Sequence, residues 1–248
     1  MAFPAAFLRR HLAAAALVAA AAGGALAGGP DDMHFRPFGI EPADRVDWGH
    51  GHLVAGVDRE TRPEPGTERR TTLPLEATIG LPAGFSAVLG VEGLARTRLA
   101  DGSAESGNTR EALLKYALPA QGGLHLAVFT GLSRKSGEGN HDHSLGASMT
   151  LDTEFGDIGA GFSSSRKRPN EPHGGREAGI NWFRRLDSGW AFGAELRRVH
   201  GANDEKLNHW LAGVGRVVGR GVLLDAALGG VSGSSRGRRL TFGISYFY

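Results

Sequence analysis

Two stretches of the sequence carry residue types that could perform hydrolysis or bind a metal ion. The run His141-Asp-His-Ser144 contains the parts of a serine hydrolase, in which a base activates a hydroxyl group and a carboxylate orients the base. Adjacent residues of an extended strand point to opposite faces, so this spacing does not by itself bring His143 and Ser144 together. The sequence therefore predicts no catalytic residue, and a lipid-active enzyme remains an alternative only.

Histidine pairs are the second feature with possible chemistry. His50 and His52, like His141 and His143, have the i, i+2 spacing that places two imidazoles on one face of a strand. Imidazole is a common metal ligand, but nothing in the sequence fixes a third ligand near either pair, and solvated loop histidines are the alternative. The chain also contains no cysteine, which excludes thiolate ligands and disulfides. We therefore expect no metal and no cofactor.

Residues 1–27 have the composition of an export signal. Arg9 and Arg10 precede an Ala/Leu/Val run, and Ala25-Leu-Ala27 provides a small-x-small cleavage site. The run is mostly alanine and too weakly apolar to predict a membrane anchor. Cleavage would remove two of the 28 Lys and Arg and none of the 26 Asp and Glu. The mature chain is then neutral overall, which argues against nucleic acid as a partner.

The last nine residues, 240–248, show the clearest strand pattern. A period of two is produced by a strand and not by a helix. The alternation, the terminal aromatic residue and the length of one strand resemble the C-terminal signal of bacterial outer-membrane proteins, which implies the barrel-assembly machinery as a partner. The last strand of a soluble β-sandwich fits these residues equally well. The alternating apolar positions are Leu240, Phe242, Ile244, Tyr246 and Tyr248.

The same alternation recurs along the chain from about Asp47, in about twelve segments of roughly ten to fourteen residues. The links between segments alternate between long charged ones, such as residues 101–110, and short ones with Gly or Pro, such as residues 82–84. A soluble sandwich has no reason to alternate in this way, whereas an outer-membrane barrel has short periplasmic turns and long outer loops. The sequence therefore predicts an all-β, antiparallel, up-and-down transmembrane barrel of about twelve strands over residues 46–248.

The predicted topology sets the orientation of the barrel. An even number of strands places both termini in the periplasm, which agrees with a cleaved export signal, and the expected location is the outer membrane. Residues 28–45 contain three prolines and are expected to form a periplasmic lead-in. The run Arg166-Lys-Arg168 would lie near lipopolysaccharide phosphates, although a solvated charge run is the simpler interpretation. Outer-membrane lipid and lipopolysaccharide are the expected surroundings.

Polar residues on the faces opposite the apolar ones would line the lumen of such a barrel. They could select the solutes that pass, or they could pair with one another and plug a barrel whose size lies between small filled barrels and open porins. The predicted lining residues are Glu76, Glu92, Arg96, Glu111, Lys115, His125, Asp152, Asn181, Arg185, Glu195, Arg197, His209 and Asp225.

The stretch from Thr71 to Val91 resembles the early hairpin of an outer-membrane family named for the meta-cleavage pathway of phenol degradation. Members of that family are described as outer-membrane transporters. The resemblance implies passive passage of a small solute, with aromatic or hydrophobic compounds as candidates, and it brings no catalytic signature. The predicted function is therefore a channel, with a lipid-active barrel enzyme and a plugged structural barrel as alternatives.

Overall fold

The barrel is seen in a computed structural model that describes residues 39–63, 66–137, 141–166, 175–201, 205–219 and 221–248, without the side chains of residues 94 and 95. Within these residues, twelve antiparallel strands close into one barrel, in which each strand pairs with its sequence neighbours and the first pairs with the last. The predicted fold class is confirmed. Helices long and apolar enough to cross a membrane are absent from the described residues. The predicted signal at residues 1–27 lies outside them.

The strands differ in length by up to five residues. The longest, β3, has 15 residues, and the shortest have 10. Their bounds are β1 (Gly51–Thr61), β2 (Thr67–Gly80), β3 (Phe85–Leu99), β4 (Ala104–Ala117), β5 (Leu124–Lys135), β6 (Asp142–Leu151), β7 (Asp157–Arg166), β8 (Arg176–Arg185), β9 (Trp190–His200), β10 (Lys206–Val217), β11 (Val222–Gly233) and β12 (Gly237–Phe247).

The apolar face of the strands points away from the barrel axis. Leu145, for example, exposes 66% of its surface, and Phe242 and Leu228 are exposed in the same way. A water-soluble protein rarely exposes a continuous apolar belt, because its contact with water is unfavourable. Hydrocarbon is the environment that covers such a belt, and the outward face of a membrane barrel is apolar for this reason.

A charge placed in this belt is expected to destabilise the barrel according to its depth. Ile180 lies on the outward face of β8, midway between Arg176 and Arg184, and is 56% exposed. Arginine near the bilayer midplane costs about 2–4 kcal/mol. We expect Ile180→Arg to reduce the free energy of unfolding in lipid vesicles, measured by urea titration, by this amount. Ser164→Arg, at the outer end of the same face of β7, is the control and should cost about 0–1 kcal/mol; equal losses would contradict the predicted depth.

The connections between strands are more uniform in length than the sequence pattern predicts. Seven of the ten residues of the link expected at 101–110, and five of the eleven at 133–143, belong to strands, since β4 begins at Ala104, β5 continues to Lys135 and β6 begins at Asp142. The tight β3–β4 turn is closed by Asp101, whose Oδ1 accepts hydrogen bonds from the amide of Ser103 at 2.8 Å and from its hydroxyl at 2.6 Å. These bonds lower the pKa of Asp101. Charged residues suit a strand that continues past the bilayer into water, so charge alone did not distinguish loops from strand ends.

A β-bulge in β3 reverses the face that each residue of its outer half occupies. Glu92 lies opposite Thr109, and the next pair is Ala95 with Gly107, so β3 contains one residue more than β4 over this stretch. The pairing of β3 with β2 shows the same extra residue. An inserted residue shifts the alternation by one position. Arg96 therefore faces outward, and the prediction that it lines the lumen is wrong.

The start of the first strand and the end of the last strand meet at the end of the barrel that carries the short turns. Gly51 N donates to Tyr248 O at 2.9 Å, and Tyr248 N donates to Gly51 O at 3.0 Å, which joins β1 to the end of the chain. Aromatic residues lie at this end: the rings of Phe85 and Tyr116 are 4.8 Å apart, and Trp182 Nε1 donates to a turn carbonyl at 3.0 Å. Aromatic side chains at this height suit the boundary between lipid and water.

Candidate functional site

Residues 39–46, which precede β1, run inside the barrel. The amides of Gly39 and Ile40 donate to Glu195 Oε2 of β9 at 2.7 Å and 3.1 Å, and Ala43, which is only 1% exposed, donates its amide to Thr150 Oγ1 of β6 at 3.3 Å. We call residues 39–46 the lumen segment. The sequence predicted a periplasmic lead-in at residues 28–45. Residues 28–38 lie outside the described residues, and residues 39–45 lie in the lumen instead, where side chains of the barrel wall bond to their backbone.

Lys115 of β4 is the main charged contact of the lumen segment. Its side chain is 2% exposed, and Nζ donates to Pro42 O at 3.0 Å and lies 3.0 Å from Glu41 Oε1. Burying an ammonium group is unfavourable unless it is paired and hydrogen-bonded, and both conditions are met here. Lys115 thus holds the lumen segment against the wall.

A pair of glycines forms the seat for Ile40. Gly161 of β7 and Gly179 of β8 lie opposite each other in the sheet. A Cβ atom on Gly161 would lie 2.7 Å from Ile40 Cγ2, and one on Gly179 would lie 2.8 Å from Ile40 Cδ1. The absence of side chains at these two positions therefore makes the space in which Ile40 packs.

The barrel encloses a cavity of about 630 Å³ whose wall is formed by the lumen segment and the inward faces of the strands. In the described part of the chain, nine carboxylates line it, against four Lys and Arg side chains. The carboxylates are those of Glu41, Asp44, Asp58, Glu60, Glu76, Glu92, Glu111, Asp157 and Glu177, and the basic residues are Arg70, Lys115, Arg197 and Arg239.

The basic side chains of the cavity are engaged by acidic ones. Arg239 lies 3.0 Å from Asp58 and 3.7 Å from Glu60, and Arg197 lies 3.0 Å from Glu177. These contacts cross between neighbouring strands, where opposite charges stabilise a sheet. The acidic groups exceed the basic ones, so some carboxylates remain without such a partner.

Glu111 is the clearest example of an uncompensated carboxylate. Glu76 and Glu111 lie in register on either side of Gly90, Glu92 lines the same cavity, and no ion pair of Glu111 is found within the described ranges. Glu76, Glu92 and Glu111 lie on the successive strands β2, β3 and β4. They form a negative stretch of the wall, which we call the acidic wall.

The predicted lining residues fall into four groups. Seven line the cavity, while Glu195 and Asp225 face inward but are almost fully covered. His125, Asp152 and Arg185 lie near the short turns, and Arg96 faces outward. Whether these residues select solutes stays a prediction. The seven are Glu76, Glu92, Glu111, Lys115, Asn181, Arg197 and His209.

Several lining residues were missed because they lie in stretches interpreted as connections. Glu60, Arg70, Glu177 and Arg239 all line the cavity near the outer ends of their strands. These four residues could have been found by continuing the inward-outward alternation of each strand into the charged residues that follow or precede it. Each lies an even number of positions from an inward-facing residue of its own strand. The acidic residues of the lumen segment carried no such signal.

One group of side chains could hold a metal ion. Ligand atoms of Asp44, His125 and Asp152 lie within 4.8 Å of one another. His125 Nε2 is 2.9 Å from Asp152 Oδ2, and its Nδ1 is 3.5 Å from Asp44 Oδ1. Because the two ring nitrogens contact different carboxylates, pairing alone accounts for the arrangement. The expectation that the protein holds no metal stays a prediction.

The two histidine motifs of the sequence, one considered for hydrolysis and both for metal binding, are each divided between different surroundings in the structure. His143 faces outward opposite Arg166, whereas its neighbour Ser144 lines the cavity. The other motif is divided as well, since His52 packs against the ring of Phe247 at 5.5 Å between centroids, while His50 precedes β1. The contacts that a hydrolase needs between base and nucleophile are thus not made by His143 and Ser144.

Solved structures of similar fold are outer-membrane barrels. The COG4313 outer membrane channel from Pseudomonas putida F1 matches with a TM-score of 0.65 and 13% identity, over 84% of this chain and 100% of that one. The KdgM porin in complex with disordered oligogalacturonate matches with a TM-score of 0.60 and 14% identity, over 79% and 99%. The NanC porin matches with a TM-score of 0.60 and 9% identity, over 77% and 98%.

The closed barrel, its apolar outer belt and its polar lumen give this chain the fold of outer-membrane β-barrels, as the sequence predicts. Its architecture is that of outer-membrane porins and channels. Neither a protein-family model nor a curated protein matches the sequence. The resemblance to the family named for phenol degradation therefore stays a prediction.

Proposed function

We propose that this protein is a passive outer-membrane channel for small solutes, and that it favours cationic and neutral molecules over anions. The observation that carries the proposal is the charge of the cavity wall, on which nine carboxylates face four Lys and Arg side chains among the described residues. Carboxylates that line a pore attract cations, and the low-dielectric wall of a barrel focuses their field.

The preference for cations is also supported by which charged groups of the cavity are free to contact a solute. The basic groups of Lys115, Arg197 and Arg239 are bound to carboxylates or to the lumen segment. The carboxylates of the acidic wall face the cavity, and Glu111 has no ion pair in the described part of the chain. A permeating solute therefore meets the accessible carboxylates of the acidic wall. The positive charges in the cavity are already bound to other groups of the protein and attract the solute less.

The cavity also has an apolar part, which bears on the class of solute. Phe129, Phe183 and Phe247 contribute to its wall. Aromatic faces attract cations as well as apolar groups, by roughly 0.5–2 kcal/mol for a cation. The proposed solutes are accordingly small cations or neutral molecules that include a hydrophobic or aromatic portion. A lipid-active enzyme gains no support, since His143 and Ser144 lie on opposite faces of β6.

A plugged structural barrel is the second candidate, and the lumen segment is the observation that favours it. Residues 39–46 are fixed by Glu195, Lys115 and Thr150 across the lumen. A channel in which this segment stays docked passes solutes only through the remaining cavity. The two candidates therefore differ in conductance.

Planar-bilayer recording of the purified protein tests the proposal. We expect steady single-channel openings, and under a tenfold KCl gradient we expect a reversal potential of the sign set by K⁺. Silent bilayers would favour the plugged barrel, and a reversal potential of the sign set by Cl⁻ would contradict the cation preference. Lipid hydrolysis by the wild type that is lost in Ser144→Ala would favour the enzyme instead.

A further inference from the structure

The outer surface of the barrel carries a concentration of basic side chains just beyond the apolar belt, at the end opposite the chain termini. Within the described strands, ten of the twelve place at least one exposed Arg or Lys on the outward face at this height. The longest uninterrupted run extends from β12 through β1 to β5. We call its part on β12, β1, β2, β3 and β4 the basic rim, and it consists of Arg238, Arg59, Arg69, Arg96, Arg98 and Arg110.

The register of the sheet shows that these side chains share the outward face. Arg59 continues the outward row of β1 that includes Val57, and Arg110 lies opposite the outward Val91. Arg96 belongs to this face because of the bulge in β3, since it lies opposite Thr71 of β2. The bulge therefore turns a residue that would have faced the lumen into a member of the basic rim.

The acidic residues at the same height occupy the other face of the sheet. Asp58, Glu60, Glu92 and Glu111 all line the cavity. The exception is Glu68, which lies at an irregularity of β2 and forms an ion pair of 2.9 Å with Arg98. At this height most acidic groups thus face the lumen and most basic groups face outward, with Arg70 and Arg239 among the basic exceptions inside.

The arginines of the basic rim lie close to one another. Arg69 and Arg98 are direct cross-strand neighbours, and such neighbours have Cβ atoms about 5 Å apart. Like charges in this arrangement destabilise a sheet, and the carboxylate of Glu68 compensates only one charge of the pair, that of Arg98. A phosphate group, with up to two negative charges and three acceptor oxygens, matches the fork of N–H donors on a guanidinium group.

The other end of the barrel lacks a comparable feature. On its outward face, the described strands offer Arg184 and Arg216. Arg216 is already engaged, because its Nη1 donates to Ser188 O at 2.7 Å and its guanidinium lies 5.0 Å from the centroid of the Trp190 ring. The positive surface is therefore specific to one leaflet of the membrane, which excludes a general attraction to lipid headgroups on both sides.

From this asymmetry we infer that the basic rim is a binding surface for the phosphate groups of lipopolysaccharide in the outer leaflet. Its arginines follow directly after the outward apolar side chains of the same strands, where headgroup phosphates would lie if the apolar belt spans the hydrocarbon. Its width, five adjacent strands at about 4.8 Å each, is sufficient for a headgroup that carries two phosphates. The inference is independent of solute passage, because the basic rim faces away from the lumen.

Binding of purified lipid A with two phosphates to the full-length protein in detergent tests the inference. Removing charge without changing fold is achieved by the triple variant Arg69→Gln, Arg96→Gln, Arg110→Gln. Each basic residue near an anionic lipid surface contributes about 1 kcal/mol, so we expect about 100-fold weaker binding. The control double variant Arg184→Gln, Arg216→Gln removes the outward positive charges of the described strands at the other end and should bind as the wild type does.

Three further results decide the outcome. Unchanged lipid A binding by the folded rim variant would overturn the inference. Equal affinity of the wild type for phosphatidylglycerol would show a surface for any phospholipid phosphate, which overturns the assignment to lipopolysaccharide. The glutamine variant is replaced if it fails to fold, which heat-dependent gel migration detects. In that case the same three positions are changed to lysine, which keeps the charge but removes the guanidinium fork. We expect the lysine variant to bind lipid A more weakly than the wild type does, and unchanged binding would contradict a phosphate site built on arginine.

Discussion

Lys115→Met is expected to release the lumen segment and to raise the mean single-channel conductance. The ammonium group of Lys115 joins the barrel wall to Pro42 and Glu41, and methionine keeps most of the stem but leaves the Glu41 carboxylate without its partner. Removing one member of a buried ion pair costs about 3–5 kcal/mol, and the 23% exposure of Glu41 favours the lower end. The ratio of docked to undocked segment should then fall by about 100-fold.

The measurement is planar-bilayer conductance in 1 M KCl, where the Debye length is about 3 Å and the lost charge itself has little effect on ion flow. Lys135→Met, at the exposed outer end of β5, is the matched control and should conduct as the wild type does. Identical conductance and open times in Lys115→Met and wild type would show that Lys115 does not hold the lumen segment in place.

Gly161→Val tests the same docking without changing any charge. A Cβ at this position would lie 2.7 Å from Ile40 Cγ2, whereas the next nearest atoms, in Ala147 and Ser148, are 3.6 Å and 3.7 Å away. Valine therefore displaces Ile40 with little disturbance of the wall, and we expect a conductance increase in the direction seen for Lys115→Met. Gly107→Val is the control, since its Cβ would come no closer than 3.9 Å to a neighbour; an effect of equal size there would contradict a specific seat for Ile40.

Neutralising the acidic wall is expected to remove most of the cation preference. The triple variant Glu76→Gln, Glu92→Gln, Glu111→Gln keeps side-chain size and eliminates three of the nine carboxylates that line the described cavity. We expect the ratio of cation to anion permeability to fall by roughly threefold or more, because these groups set the local ion concentration. The reversal potential under a tenfold KCl gradient measures the ratio.

A matched control separates lumen charge from net charge. Glu68→Gln, Glu105→Gln and Glu154→Gln remove three exposed carboxylates outside the cavity, and this variant should keep the wild-type ratio. Acidification toward the reference pKa range of Asp and Glu, about 3.9–4.3, should change the wild type in the same direction as the triple variant. A permeability ratio that stays constant in the acidic-wall variant would contradict the proposed role of Glu76, Glu92 and Glu111.

The sequence supported the fold better than it supported the lumen. The alternation of Leu240 to Tyr248 and of the preceding segments predicted the barrel correctly, because partition between lipid and lumen is decided residue by residue along an extended chain. The position of Arg96 could not be derived in this way. One inserted residue in β3 changes no local hydrophobic pattern, yet it turns every later side chain of the strand to the other face.

What the amino-acid order alone determined was therefore the class of barrel, its strand number and the apolar character of its outer surface, since these depend on neighbours within a few residues. The tertiary structure decided which charges meet. Lys115 contacts Pro42 across 73 positions of the chain, and Glu195 contacts Gly39 across 156. Contacts of that separation exist only after the sheet has closed and its register has set, which is why the filling of the lumen became visible in the folded barrel alone.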